Sequence, residues 1–375
     1  MQNNSPLFQL EDDIIYVNHA AVAPWPQATV VAVRQFAAEN GHVGSRHYGR
    51  WSAKEQALKQ ALAQLINAPS DDDIALLKST SEGLSVIAYG IDWQPGDNIV
   101  IAAEEFPSNR IVWESLRPRG VEVREARLFA GDDPEQALIE LMDDNTRLLS
   151  VSAVQYASGL RMDLARLSAA CKQHDSLFCV DAIQHIGALQ FDVQAIAADF
   201  VVADGHKWML GPEGLALFYC RRELIDTLQL HQFGWHMVEA MGHFDDPQWQ
   251  PAGNARRFEC GSPNMLGIHA LQASIQVLLE QGMAQVEQQL LERSGLLIDA
   301  LNQMQNVDII TDCRDERRSG IVTFNKAGQD METMYHALVE RGVVCALRGG
   351  GIRLSPHFYT DTDRLHRLLT WIDAF

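Results

Sequence analysis

Long hydrophobic runs are missing from this 375-residue chain. No stretch approaches the roughly 18 consecutive apolar residues that a membrane-spanning helix needs. The start, Met1-Gln2-Asn3-Asn4-Ser5, has neither the basic region nor the apolar core of a secretory signal. Basic side chains are scarce: 30 Lys and Arg stand against 49 Asp and Glu, for a formal net charge of −19. That excess argues against nucleic acid as a partner, because phosphate backbones demand clustered Lys and Arg. It argues equally against an anionic membrane surface. It does not exclude small anions, which a few placed donors can hold inside an acidic protein. Cysteine is sparse and scattered (Cys171, Cys179, Cys220, Cys260, Cys313, Cys345), with no CxxC. This suits free thiols in a reducing cytoplasm rather than a disulfide framework. HExxH is absent, and His231, His236 and His243 lack Cys or carboxylate ligands at matched spacing, so no metal is expected. No apolar run is followed by GxGxxG, which argues against an NAD(P)-binding dehydrogenase.

What is present is a 47% hydrophobic chain, ordinary for a globular protein and long enough for two or three domains at about 150 residues each. Helical spacing covers residues 27–40 and 50–67, the latter through Ala57, Leu58, Ala61, Leu62 and Leu65. Short apolar runs then alternate with helical stretches. Strands are predicted at 74–77, 98–102, 121–126, 148–153, 177–180, 200–203 and 215–219, and helices at 81–91, 108–117, 134–142 and 163–174. Nearly continuous apolar strands alternating with helices predict a mostly parallel α/β sheet covered on both faces, with its site at the carboxyl ends of the strands. Long helices follow over 266–303. A smaller α+β unit comes last: strand 320–324, helix 331–341, strand 343–346, strand 352–355 and helix 361–374. The expected division is a large domain over 14–265 and a small C-terminal domain over 266–375, joined by residues 1–13.

The residues that carry chemistry lie at strand ends. Strand 177–180 runs into Asp181-Ala182-Ile183-Gln184, and strand 200–203 into Asp204-Gly205-His206-Lys207-Trp208. A carboxylate and a lysine at neighbouring strand ends converge on one crevice, and both are costly to bury unless paired or used. Pyridoxal phosphate (PLP) needs this pair: a lysine for a Schiff base and an acid beside the pyridine nitrogen. A phosphate cradle is available where strand 74–77 meets Ser79-Thr80-Ser81-Glu82-Gly83, the opening of a helix. Alone, that feature reads as an ordinary N-cap with Glu82 in the first turn.

Taken together, Asp181-Ala-Ile-Gln184 and Gly205-His-Lys-Trp-Met-Leu-Gly-Pro-Glu-Gly214 resemble the class V aminotransferase family of fold-type I PLP enzymes. Thr80-Ser-Glu-Gly83, Glu105-Phe-Pro-Ser-Asn109, Arg257-Phe-Glu-Cys-Gly-Ser-Pro-Asn264 and Ile352-Arg-Leu-Ser-Pro-His-Phe358 extend the resemblance, in order, over nearly the whole chain. The branch it most resembles holds the cysteine desulfurases and selenocysteine lyases. The resemblance implies that Lys207 carries the cofactor and moves protons, and that Asp181 pairs with the ring nitrogen. It implies that Gln184, with Gln155 or Tyr156 nearby, meets the phenolate oxygen, and that Thr80, Ser81 and His206 hold the phosphate. Asp204 stands where relatives often have a phosphate-binding Ser. Ser262 resembles the residue lent to the neighbouring subunit's phosphate, which implies a homodimer with shared active sites. Arg353 resembles the arginine for the α-carboxylate of an amino-acid substrate, a planar group suited to a guanidinium.

Two departures bear on the reaction. Desulfurases of this branch carry a cysteine on a loop before the arginine strand, whereas this chain has Arg348-Gly349-Gly350-Gly351. Cys345 lies upstream and reads as structural. Phe106 stands where desulfurases stack a histidine, and resembles the stacked phenylalanine of kynureninase-like members. His19 and His47 are candidates for the substrate entrance. The expected function is PLP-dependent, cysteine desulfurase-like C–S cleavage without the usual cysteine. A class V aminotransferase, a racemase or epimerase, and a kynureninase-like hydrolase are the alternatives. Most of the acid is expected on the outer surface, away from a cleft that collects Lys207, His206 and Arg353.

Overall fold

A computed structural model of the chain describes residues 7–375. The Met1-to-Ser5 start read above, and with it the beginning of the 1–13 segment, lies outside the described residues. Among the described residues, a seven-stranded sheet runs in the order Ile74–Leu77, Ala216–Cys220, Phe200–Asp204, Leu177–Asp181, Thr146–Ser152, Asn98–Ala102, Glu122–Ala126. Ala216–Cys220 is antiparallel to both its neighbours, and the remaining pairs are parallel. Successive side chains leave a strand on opposite faces. Val100 and Ala102 accordingly enter one core with Val180 and Leu271, while Ile99 and Ile101 enter the other with Phe200 and Phe218. Burial on both faces is why these strands read as unbroken apolar runs.

A second sheet takes the order Ala346–Arg348, Gly351–Leu354, Val322–Lys326, Val307–Ile309, all antiparallel. Helices Met283–Leu301, Met331–Glu340 and Thr362–Asp373 close its core through Leu297, Leu301, Leu338 and Leu365, packed with Phe324 of the sheet. The expected single strand 343–346 is in fact two. Val343–Val344 pairs in parallel with Ile15–Tyr16, and Ala346–Arg348 pairs with Gly351–Leu354. One apolar run can serve two partners, and alternation alone does not reveal which. Val307–Ile309 escaped prediction because it is three residues long, half-exposed and interrupted by Asp308.

The helix Met265–Gln281 sends Ile268, Leu271, Ile275 and Leu278 into the large sheet's core, whereas Ile15 and Val17 join the small one. One glycine fixes how the helix Thr80–Gly90 sits on the large sheet. A Cβ at Gly83 would lie 2.7 Å from Val202 Cγ1, so only glycine lets the first turn come this close to the strand Phe200–Asp204. No helix among the described residues is long and apolar enough to cross a membrane.

Candidate active site

The carboxyl ends of the central parallel strands open into a cleft of about 330 Å³, lined among others by Thr80, Phe106, Tyr156, Asp181, Lys207 and Arg353. Leu177–Asp181 and Phe200–Asp204 are hydrogen-bonded neighbours, so the acid that ends one and the lysine that follows the other meet there. The backbone N–H of Ile183 donates to Asp181 Oδ1 at 3.1 Å. Burial raises the Asp181 carboxyl above the usual range, and the charge of Glu105 adds to the effect. Burial also lowers the Lys207 amine below the ordinary lysine range, against the opposing pull of Asp181. Lys207 Nζ lies 5.7 Å from the centroid of the Phe106 ring, which is 42% exposed and faces the cleft instead of a core.

At the far wall the helix Thr80–Gly90 begins. Ser79 Oγ caps it by accepting from Glu82 N, leaving first-turn N–H groups without intrahelical acceptors. Thr80 Oγ1 accepts from the Asp204 N–H at 3.0 Å, which keeps the hydroxyl proton free to donate. Ser81 Oγ donates to Ser108 Oγ at 2.8 Å. His206 Nδ1 stands 2.9 Å from Asp204 Oδ1. Gln184 donates one amide proton to Ala20 O and accepts from Trp208 Nε1, so its second amide proton remains available. Arg353 is 2% exposed. Its Nη1 donates to Tyr156 O at 2.7 Å, its Nε is buried without a partner, and no carboxylate pairs with it among the described residues. Burial, and then the charge of Arg348, lowers it to about 10.

Four expected residues lie elsewhere. His19 is fully buried: Nδ1 lies 2.8 Å from Ser355 O and Nε2 lies 2.7 Å from Tyr359 Oη. A carbonyl only accepts, so Nδ1 carries the proton and Nε2 accepts from the tyrosine. Burial lowers His19 to about 4. It is a neutral tie between the N-terminal segment and the small unit, and Ala20 and Ala21 line the cleft in its place. Gln155 gives its amide to Glu105, and Tyr156 lines the cleft instead. His47 sits in the short turn Gly44–His47 between two helices, outside its own chain's cleft. Ser262 is exposed in a separate depression with Gln232 and Cys260, where Trp235 Nε1 donates to its hydroxyl.

Glu105, Ser108 and Arg348 went unassigned in the sequence. Glu105 is buried and accepts from Ser152 N, Ser152 Oγ and Gln155 Nε2, directly behind Asp181, whose strand partner is Ser152. The signal for it was Glu105-Phe106 itself, a charged residue at the end of an apolar strand. His236 does meet carboxylates, Glu55 and Glu259, and Lys59 Nζ lies 2.7 Å from Glu259. No cysteine lines the cleft among the described residues; Cys345 is buried, which pushes its thiol up to about 12.

A family model described as aminotransferase class-V matches residues 15–360. A probable cysteine desulfurase of Methanothermobacter thermautotrophicus is 28% identical over 95% of this chain and 93% of its own length. The cysteine desulfurase CsdA of Escherichia coli, in its S-sulfonic acid form, superposes with a TM-score of 0.87 at 26% identity, over 97% of this chain and 95% of the other. The cystine C-S lyase C-DES, solved with its product cysteine persulfide, superposes with a TM-score of 0.89 at 23% identity, over 97% and 98%. A mutant of C-DES carries glycine covalently linked to its PLP cofactor.

Proposed function

From the premise that this chain belongs to the class V aminotransferase family, we propose that it cleaves the Cβ–S bond of a sulfur-containing amino acid by β-elimination, without a protein thiol. It is a PLP-dependent, cysteine desulfurase-like enzyme. Its cleft fits that cofactor: Lys207 and Asp181 face one space, Thr80 keeps a free donor, and the helix start offers N–H groups to a phosphate. Bound there, the cofactor supplies an electron sink for the bonds that break at Cα and Cβ. Phe106 provides an aromatic face that cannot exchange protons, so proton traffic falls to Lys207. Arg353 binds the substrate α-carboxylate and turns the Cα–H towards Lys207 Nζ. Lys207 takes the Cα proton, the Cβ–S bond breaks with its electron pair on sulfur, and the sulfur picks up a proton. With one water consumed, the products are a thiol, pyruvate and ammonia.

The observation that supports the thiol-free reading is the cleft lining, which includes Arg348 and Arg353 and no cysteine among the described residues. The test is a product assay on a panel of cysteine, cystine and S-substituted cysteines. Pyruvate with sulfide or thiol supports the reading; alanine with sulfane sulfur overturns it. Cys345→Ala is expected to turn over at the wild-type rate, since a thiol held up to about 12 supplies almost no thiolate at neutral pH. Phe106 favours one second reading, a kynureninase-like hydrolase, which would release alanine and a carboxylic acid from an aryl substrate.

The homodimer belongs to the same proposal. Ser262 faces away from its own cleft, on a segment that also exposes Phe233, Phe244 and Trp249. A second copy covering this face delivers Ser262 to the other subunit's phosphate and hides the aromatics. Mixed dimers of Lys207→Ala and Ser262→Ala chains test this. One of the two sites is then intact, and activity is expected to recover to about half of wild type. No recovery removes the shared site. The free cysteines fit a cytoplasmic setting.

A further inference from the structure

The reading of Arg353 as the α-carboxylate site leaves a second guanidinium in the cleft without a task. Arg348 ends the strand Ala346–Arg348, which pairs antiparallel with Gly351–Leu354. In that register Ala346 lies opposite Arg353 and Arg348 opposite Gly351. Residues two apart on a strand share a face, so Arg348 and Arg353 project from the same side as diagonal neighbours, about 7–8 Å apart. The turn between the two strands is Gly349-Gly350, both at positive φ (60° and 81°), a conformation that favours glycine. It adds no side chain between Arg348 and the cleft, and Gly349 rests against Ala157. Arg348 is exposed at the mouth, where it lines the cleft. Its Nη1 donates only to the carbonyl of its neighbour Leu347, and no carboxylate pairs with it among the described residues. Its charge is felt by both Lys207 and Arg353.

The cleft's own acids are already engaged. Asp181 faces Lys207, and Asp204 stands beside His206. In a chain with 49 acidic side chains, an unpaired arginine at the cleft mouth is a vacant seat for an anion that arrives with the ligand. The geometry points to Arg348 as a specificity-determining residue that binds a negative charge at the far end of the substrate side chain. The preferred substrates are therefore α-amino acids whose β-sulfur substituent ends in an anion: a sulfinate, an S-sulfonate or a second carboxylate. Arg353 and Arg348 line the same cleft from one face of the hairpin, so one ligand with an anion at each end can reach both. A neutral side chain leaves Arg348 unused.

Two measurements on the PLP-loaded enzyme test this. The first compares kcat/KM for S-sulfocysteine and S-(carboxymethyl)cysteine with that for S-methylcysteine. Arg348→Gln is expected to lower the values for both anionic substrates about 10- to 100-fold more than the value for S-methylcysteine, as for loss of one charge-assisted contact. A sulfonate-only or carboxylate-only effect would identify which anion the seat takes. Equal losses on all three would mean that Arg348 shares the α-carboxylate with Arg353, and no loss would mean that it has no role; either overturns the proposal. The second needs no turnover: succinate and acetate are titrated against the visible band of the bound cofactor. Succinate is expected to bind at least tenfold more tightly to wild type, and Arg348→Gln to erase that preference. If no sulfur amino acid is consumed but the succinate preference behaves as stated, the elimination reading fails and the role of Arg348 stands.

Discussion

Lys207→Ala is expected to lose turnover by at least about a thousandfold while keeping its fold. On the proposed roles of Lys207, two contributions are removed together: the covalent anchor for the cofactor, and the amine that moves a proton at Cα, itself worth about 10²–10⁴ in rate. The measurement is a pair of spectra on cofactor-reconstituted protein. Wild type should show a visible band from the lysine-bound cofactor, and Lys207→Ala should lack it, with an unchanged far-ultraviolet circular dichroism spectrum. Wild type without the band after reconstitution would sink the assignment. A pH series adds detail. Burial lowers the Lys207 amine, and only the neutral amine can attack an aldehyde. Covalent loading is thus expected to rise with pH and to level off well below the pH at which an exposed lysine would do so.

Arg353→Met should separate binding from stability. In the structure this guanidinium is buried, bonded to one carbonyl, and left with an unpartnered Nε and no carboxylate. Truncating one side of a buried charge pair costs about 2–5 kcal/mol, so kcat/KM should fall about thirtyfold or more, mostly through KM. Without substrate, however, Arg353 is an uncompensated buried cation, and replacing it with an apolar chain of similar length should hold or raise Tm by a few degrees. Thermal unfolding of the cofactor-loaded variant beside wild type reads this directly. A clear drop in Tm with an unchanged KM would make Arg353 a structural residue.

These two residues were legible because each interrupts a buried pattern. Lys207 follows a buried strand that is apolar up to its last residue, Asp204, and Arg353 sits inside an otherwise apolar one. The strands of the large sheet were legible for the same reason, since burial on both faces leaves no polar alternation to misread. What stayed hidden depends on partners distant in sequence. His19 reads as a free polar residue until Ser355 and Tyr359 are seen to hold both its nitrogens. Arg348 reads as a hairpin charge until strand register places it beside Arg353. Glu105 has no assigned role in the sequence until Ser152 and Gln155 are seen to close over it. The split of 343–346 follows from an N-terminal strand that no local pattern could pair with it.

That same pairing sets a timetable for synthesis. The first described strand, Ile15–Tyr16, finds its partner only at Val343–Val344, and His19 bonds to a residue 336 positions away. Ala20 and Ala21, which follow directly, form part of the cleft wall. During translation the large sheet can assemble early from contacts between strands close in the chain. The N-terminal strand must wait, unpaired, until Val343 and Val344 have left the ribosome. An edge exposed for that long invites mispairing. The acids Glu11, Asp12 and Asp13, immediately before the strand, are placed to discourage it. The catalytic wall is thus among the last parts of the molecule to close, so a nascent chain interrupted before residue 343 would hold a folded sheet and an unfinished cleft.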